Sequence, residues 1–143
     1  MSGIVIAVNI SKEKGVPKEN IGSCEINALG LKGDAHAGKW HRQVSLLAEE
    51  SIEKVKSVGV DLNYGIFAEN ITTRGLELNK LPIGTRLKVN EVILEITQIG
   101  KECHQGCAIQ KQVGKCIMPL EGIFTKVIRP GTIKTGDKII VMK

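Results

Sequence analysis

The sequence predicts a mainly β fold: a small, mainly antiparallel β-barrel with a few peripheral helices. Short runs rich in Ile, Val and Leu recur along the chain, turn residues separate these runs, and 16 glycines provide corners and bulges. A chain of 143 residues is long enough for one domain with a buried core. Because no linker or low-complexity tract divides it, we expect a single domain over residues 1–143.

Several segments have the composition of strands. Residues 92–99 are rich in β-branched side chains, and Leu94 and Ile96 fall on one face. Cys24, Ile26 and Ala28 alternate with polar residues, which is typical of a strand with one buried face, so Cys24 is expected in the core. The remaining predicted strands are residues 4–10, 123–129 and 138–142.

One helix is predicted over residues 48–58. Apolar residues recur there at helical spacing, two glutamates suit the positive end of a helix, and Gly59 suits its termination. The side facing the barrel is expected to carry Ala48, Ile52 and Val55. The side facing water is expected to carry Glu53 and Lys54. A shorter second helix is expected within residues 105–113.

Composition narrows the function classes. The net charge of +5 favours anionic partners such as phosphates, nucleotides or acidic cofactors, and it is equally consistent with a basic surface that only keeps the protein in solution. Aromatic residues make up only 3% and basic residues form no run, so we expect no nucleic-acid surface. The sequence contains no run of 18 apolar residues, so we expect no membrane span. The N-terminus lacks the pattern of a secretory signal peptide. Four cysteines in such a chain do not indicate a disulfide scaffold, so we expect a reduced, cytoplasmic protein.

Two motifs bring polar groups into glycine-rich or apolar surroundings. Residues 33–38 (GDAHAG) place Asp34 and His36 two positions apart between glycines, which suits acid–base or hydrogen-bonding work and equally suits a simple turn. Residues 67–72 (FAENIT) place Glu69 and Asn70 inside an apolar stretch. Buried polar groups need partners, so these two side chains either bind a ligand or connect two loops.

A cysteine-rich segment follows the predicted strand over residues 92–99. Lys101 and His104 flank Cys103 and favour its thiolate, the form that ligates metals and attacks electrophiles. Cys107 and Cys116 follow, at a spacing that is not usual for zinc fingers or ribbons. Free cysteines are often small core residues. Three cysteines and a histidine within fourteen residues nevertheless favour a chemical role for at least one of them.

Taken in order, these segments resemble the MOSC domain, named for the C-terminal region of molybdenum cofactor sulfurase. The matching residues are 31–38, 67–73, 81–84, Cys103 and 121–139. The resemblance implies a barrel like the pyruvate-kinase β-barrel domain. It also implies a cysteine, here Cys103, that binds sulfur or ligates the molybdenum of molybdopterin. Family members are associated with sulfur transfer to that cofactor or with reduction of N-hydroxylated compounds.

The expected site follows from the motifs and the resemblance together. Cys103 is the expected metal ligand and sulfur carrier, and Asp34 and His36 are the other expected catalytic residues. Cationic or hydrogen-bonding groups would hold the cofactor and its phosphate. These expected cofactor-binding residues are Lys32, Gly33, Arg42, Glu69, Asn70, Lys101 and His104. We expect Asp34, His36, Asn70 and Cys103 to converge on one pocket.

The sequence departs from the family pattern at two positions. Ala68 replaces the usual glycine before Glu69, and Glu102 replaces the proline that often precedes the cysteine. The chain also lacks the extra N-terminal β domain of the larger cofactor-holding reductases. That favours a small accessory protein that presents cofactor or sulfur to a biosynthetic or acceptor protein. Two alternatives stay open: a cofactor-free thiol or persulfide enzyme, independent of pyridoxal phosphate, and a zinc-stabilised binding module.

Overall fold

The fold is mainly β in the computed structural model, which describes residues 1–14, 16–55, 64–100 and 121–142, without the side chains of residues 54 and 55. Among the described residues, the helix α1 (Glu49–Val55) and a 3₁₀ turn (Leu78–Lys80) accompany the strands. The strands are β1 (Ser2–Ile10), β2 (Glu19–Asn20), β3 (Ser23–Asn27), β4 (Gly30–Leu31), β5 (Val44–Ala48), β6 (Ile71–Arg74), β7 (Arg86–Val89), β8 (Val92–Ile99), β9 (Ile123–Arg129), β10 (Gly131–Lys134) and β11 (Lys138–Val141).

Seven of these strands form a closed barrel. Their order is β11, β7, β8, β9, β5, β6 and β1, and β1 pairs back onto β11 to complete the ring. The pairs are antiparallel except for β5 and β6, which run parallel. A second sheet of β10, β3 and β4 covers one side. The predicted barrel class is therefore confirmed.

The barrel interior is aliphatic, as the composition requires. Leu46, Leu87, Leu94 and Ile123 are among its fully buried side chains. The alternation expected in the strand over residues 92–99 is present: Leu94 and Ile96 are fully buried, while their neighbours are partly exposed. Closing the sheet on itself gives every barrel strand two partners, so its backbone groups are satisfied without an open edge.

Most predicted strand bounds agree with the structure. The predictions for residues 92–99 and 123–129 coincide with β8 and β9. β1 begins at Ser2 rather than at residue 4, and β11 ends at Val141 rather than at residue 142. Cys24 lies buried in β3 as expected. Ala28 does not continue that alternation, because β3 ends at Asn27 and Ala28 lies exposed in the turn that follows.

The predicted helix is present but begins one residue later. Ala48 is the last residue of β5, where its backbone pairs with Thr73, and α1 starts at Glu49. Ala48 and Ile52 are buried and Glu53 is exposed, as predicted. The predictions for Lys54, Val55, the end of this helix and the helix within 105–113 fall outside the described side chains and residues.

Candidate functional site

A buried ion pair joins the first motif to the chain before β2. The ammonium of Lys18 lies 2.7 Å from Asp34 Oδ1, and both side chains are fully inaccessible to solvent. The same ammonium donates to Ser11 Oγ at 3.0 Å and contacts His36 Nδ1 at 2.9 Å. Three acceptors therefore surround the three N–H donors of one lysine. Such a pair is stable only when its charges are matched and hydrogen-bonded, as they are here.

Asp34 is the hub of this cluster. Its Oδ1 also accepts the Ser11 backbone N–H at 3.1 Å, and its Oδ2 accepts the His36 backbone N–H at 3.1 Å. Burial by itself would raise the pKa of Asp34. The hydrogen bond and charge of Lys18, together with bonds from Asn70 and Ser11, outweigh burial, and the pKa is lowered. Asp34 is thus a carboxylate at neutral pH, which keeps its attraction for Lys18.

His36 lies between this ion pair and an aromatic group. Its side chain is 14% exposed. The ring of Trp40 is parallel to the imidazole, with the ring centroids 6.2 Å apart, and the Trp40 indole N–H donates to the His36 carbonyl at 2.7 Å. His36 is therefore held at both ring and backbone. Asp34 and His36 lie side by side in the structure, with the Lys18 ammonium between their side chains.

The second motif connects three parts of the barrel. Asn70 Oδ1 accepts the backbone N–H of Ser45 in β5 at 3.0 Å, and Asn70 Nδ2 donates to the Asn9 carbonyl in β1 at 3.2 Å. The Asn70 side chain also lies close enough to Asp34 to help lower the pKa of that carboxyl. The structure thus places Asp34, His36 and Asn70 in one part of the fold. Asn70 has the loop-connecting geometry that the sequence left open as one of two alternatives.

Glu69 is fully buried and bonded to its own loop. Its carboxylate accepts the Gly65 N–H at 3.0 Å, the Phe67 N–H at 3.2 Å and the Thr72 hydroxyl at 2.7 Å. Burial raises the pKa of Glu69, and the donated hydrogen bonds only partly oppose it. These three bonds of the Glu69 carboxylate are all to residues 65–72. Glu69 therefore stabilises the conformation of the loop that carries Asn70.

Two small residues let this loop take its path. Ala68 has φ +63°, a left-handed backbone conformation that glycine adopts more easily, which gives a physical reason for the glycine usual in the family. Gly65 has φ +90°, and a Cβ there would lie 2.2 Å from the Lys18 carbonyl oxygen. The Lys18 N–H in turn donates to the Gly65 carbonyl at 2.7 Å. The loop before β6 therefore touches the segment that carries Lys18.

Arg42 forms a second cationic feature beside Trp40. Its guanidinium carbon lies 4.6 Å from the Trp40 ring centroid and 5.6 Å from that of Phe124. The Lys14 ammonium lies 4.5 Å from the Trp40 centroid. Arg42 Nε is buried, and within the described parts of the chain it has no hydrogen-bond partner. An arginine held by rings and short of an acceptor is suited to an anionic ligand.

The remaining expected site residues divide into two groups. Lys32 is 72% exposed and pairs with Glu25 at 3.8 Å, away from the buried cluster's hydrogen bonds. Gly33 has φ +86° and makes the turn into Asp34. Cys103, Lys101 and His104, with Cys107 and Cys116, lie outside the described residues. The expected convergence of Cys103 with Asp34, His36 and Asn70 stays a prediction.

A cavity of about 430 Å³ lies next to the cluster. Ser11, which contacts both Lys18 and Asp34, is one of its lining residues. The other lining residues are the apolar Ile10, Val16, Pro17 and Ile21 and the charged Lys12, Glu13 and Glu19. The cluster therefore borders a space large enough for a small ligand.

Lys18 is the residue that sequence analysis missed. Lysine is almost always exposed, so nothing in its local sequence distinguishes it from the other lysines. Its burial depends on the loop of Gly65 and on Asp34, which lie 47 and 16 residues further along the chain. Only the closed fold brings these segments together.

The barrel and the cluster define a class of protein: a small β-barrel domain with a buried Lys–Asp–His network beside a cationic, aromatic surface. The sequence model of the MOSC domain family matches residues 33–140. The chain belongs to this family. The resemblance expected from the motifs is therefore confirmed.

Solved structures support the fold. The YuaD protein from Bacillus subtilis is similar with a TM-score of 0.81 and 21% identity, over 97% of this chain and 94% of that chain. YiiM from Geobacillus stearothermophilus has a TM-score of 0.74 and 16% identity, over 99% and 75%. YiiM from Escherichia coli has a TM-score of 0.70 and 17% identity, over 100% and 70%. A comparison with curated proteins finds no match.

The described residues contain neither a membrane-spanning helix nor a metal-binding cluster. No described helix has the length and apolar character needed to cross a membrane. No group of three or more His, Cys, Asp or Glu side chains there is arranged to hold a metal ion.

Proposed function

We propose that the chain binds the molybdenum cofactor through Cys103 and serves in cofactor maturation, as a sulfur carrier, or in reduction of N-hydroxylated compounds. The observation that carries this proposal is the family match. It spans residues 33–140 and so includes Asp34, His36, Asn70 and Cys103. The family is linked to molybdenum cofactor sulfurases and to the reduction of N-hydroxylated compounds.

The described residues fit an anionic pterin cofactor. The buried Arg42 Nε has no partner among them, and the guanidinium is held beside two aromatic rings. Arginine binds phosphate through several N–H donors in one plane. In this proposal Arg42 binds the cofactor's phosphate, and Lys14, beside the same Trp40 ring, adds positive charge.

Cys103 supplies the other kind of donor. A thiolate is a soft ligand that suits a thiophilic metal or a transferable sulfur. When bound, the cofactor supplies the redox and atom-transfer chemistry at molybdenum, and the protein supplies orientation and hydrogen bonds. Asp34 and His36 are proposed to provide part of that hydrogen-bonding environment. A biosynthetic or acceptor protein is the proposed partner, since a small domain of this kind can present cofactor or sulfur to another chain.

Metal and pterin analysis tests this proposal. The full chain is purified from a host that makes the cofactor, and molybdenum, zinc and oxidised pterin are measured per chain. The proposal predicts molybdenum together with pterin, and loss of both in Arg42→Ala and Cys103→Ser. Arg86→Ala is the matched control, because Arg86 is also an arginine and its guanidinium pairs with Glu95 at the surface of the barrel.

Other results identify the alternatives and overturn the proposal. Zinc near one per chain without pterin indicates a zinc-stabilised binding module. Neither metal, with a persulfide on Cys103 detected by mass spectrometry, indicates a cofactor-free sulfur-transfer enzyme. Molybdenum and pterin that survive Cys103→Ser contradict the assigned ligand.

A further inference from the structure

We propose that Lys18 is a positioning residue that fixes one tautomer of His36, with the ring proton on Nε2. The proposal rests on the proposed function only in placing His36 at the cofactor site; the tautomer itself follows from the contacts of the protein. Lys18 lies outside the family match over residues 33–140, so that match does not reach it.

The hydrogen-bond inventory leaves one assignment for the imidazole. The Lys18 ammonium has N–H donors only and no acceptor. It lies 2.9 Å from His36 Nδ1, so this nitrogen must accept the bond. A nitrogen that accepts carries no proton, and the proton of the neutral ring is therefore on Nε2.

The ammonium form of Lys18 is itself required by its surroundings. Asp34 Oδ1 at 2.7 Å is an anionic acceptor, and Ser11 Oγ at 3.0 Å is the third acceptor. The Ser11 hydroxyl donates its own proton to the Glu13 carbonyl at 2.8 Å, so toward Lys18 it accepts. The ammonium is thus the donor in all three of these bonds, the bond to His36 Nδ1 included.

Asp34 cannot set the tautomer by holding Nδ1–H directly. Asp34 Oδ2 lies 3.9 Å from His36 Nδ1, beyond hydrogen-bond distance, and accepts the His36 backbone N–H instead. A carboxylate that bonds histidine directly would favour a proton on Nδ1. Here Lys18 lies between Asp34 and His36 and donates to Nδ1, so the ring proton is on Nε2 instead.

The consequence is a defined donor at the site. With Nδ1 turned to Lys18, the imidazole offers an N–H at Nε2, which suits an oxygen or sulfur acceptor. The parallel Trp40 ring and the indole bond to the His36 carbonyl hold the imidazole in plane. Lys18 therefore acts through His36 and needs no contact with a ligand of its own.

Nitrogen NMR of the unloaded protein tests the tautomer. Ring ¹⁵N shifts and long-range proton couplings are recorded on the full chain at neutral pH, with the His36 signals assigned by their loss in His36→Gln. The proposal predicts one unprotonated nitrogen at Nδ1 and one protonated nitrogen at Nε2, with widely separated shifts. A proton on Nδ1, an average of both tautomers or a doubly protonated ring in the wild-type protein would overturn it.

Variants then assign the effect to Lys18. Lys18→Met should bring the two His36 nitrogen shifts together, through tautomer exchange or protonation of the ring. Since that variant leaves Asp34 buried without its partner, the double variant Lys18→Met/Asp34→Asn is made as well, so that no unpaired charge is buried. A wild-type His36 pattern in the double variant would overturn the proposal. Lys12→Met, at an exposed lysine nearby, and the His41 signals are the controls and should not change.

Cofactor loading separates the two proposals. If the wild-type chain contains no molybdenum or pterin but shows the predicted His36 pattern, the proposed function is contradicted. The role of Lys18 is then still supported. A loaded wild-type chain with the proton on Nδ1 contradicts only the role of Lys18.

Discussion

At the scale of single residues, the buried Lys18–Asp34 ion pair determines the charges within the cluster. It also makes the stability of the fold depend on both partners. Two charges removed from water are tolerated only while each compensates the other. We expect Asp34→Asn to lower the free energy of unfolding at neutral pH by about 3–5 kcal/mol, because it leaves the buried ammonium without its anion. Denaturant-induced unfolding measures the change.

The contribution of Asp34 to the free energy of unfolding should depend on pH in one direction. The pKa of Asp34 is lowered in the folded state, so its stabilisation is present above the unfolded pKa and is lost as pH falls through the folded value. The difference between wild type and Asp34→Asn should therefore shrink as the solution is acidified below about pH 4. Glu25→Gln, at an exposed carboxylate, is the control and should change stability by less than about 1 kcal/mol. A difference for Asp34→Asn that stays constant into acid would refute the account.

At Ala68 the backbone conformation restricts which side chains fit. Its φ of +63° is strained for side chains branched at Cβ. We expect Ala68→Val to destabilise the fold by about 2 kcal/mol or more, and Ala68→Gly to stay within about 1 kcal/mol of wild type. Thermal unfolding of both variants checks this. Equal stability of the valine and glycine variants would show that the left-handed conformation does not constrain this position.

At the scale of elements, the loop before β6 positions the segment before β2. A Cβ on Gly65 would lie 2.2 Å from the Lys18 carbonyl oxygen, and φ is +90°. Gly65→Ala should therefore strain the backbone and also push the Lys18 segment away from Asp34. We expect a loss of about 2–4 kcal/mol, measured by unfolding.

Gly84 is the matched control for this prediction. It has φ +95°, but a Cβ there would meet nothing within 4 Å. Gly84→Ala therefore reports backbone strain alone, about 1 kcal/mol. The difference between the two glycine variants measures the close approach to Lys18. Equal effects would mean that the contact between the two segments contributes nothing.

The elements also show how far sequence reasoning reaches. β8 and β9 were predicted with the observed bounds because their signal is local: β-branched residues over one continuous run. The predicted start of α1 was wrong by one residue because Ala48 pairs with Thr73, 25 residues away, as the last residue of β5. Such boundaries depend on pairing with a distant strand, and the periodicity of the helical segment carries no information about that pairing.

The same division holds within the candidate site. Asp34 and His36 were identified together because glycines and short spacing mark them in the chain. Lys18 carries no comparable mark, since its burial arises from Ser11, Asp34 and the Gly65 loop closing around it. Likewise, the sequence left two interpretations of Glu69, and only its bonds to Gly65, Phe67 and Thr72 reveal the loop-shaping geometry.

At the scale of the whole molecule, barrel closure by β1 and β11 holds the site segments together. Ile139 is fully buried and pairs with Gly3 on one side and Val89 on the other, while the next residue, Ile140, is 42% exposed. We expect Ile139→Ala to cost about 2–5 kcal/mol, and Ile140→Ala less than about 1 kcal/mol. Chemical denaturation of both variants distinguishes them. Similar losses would contradict the register of the closing strand.

The central claim is that Cys103 is the one cysteine of its segment that carries the activity, and serine replacement tests it most directly. Molybdenum, pterin and persulfide content are measured for Cys103→Ser, Cys107→Ser and Cys116→Ser, with unfolding curves for each. The account predicts that Cys103→Ser abolishes loading and keeps the fold, because a hydroxyl is a far poorer donor and nucleophile than a thiolate. The other two variants should keep loading. Equal loss of bound metal with unfolding in all three would show a structural zinc site and contradict the account.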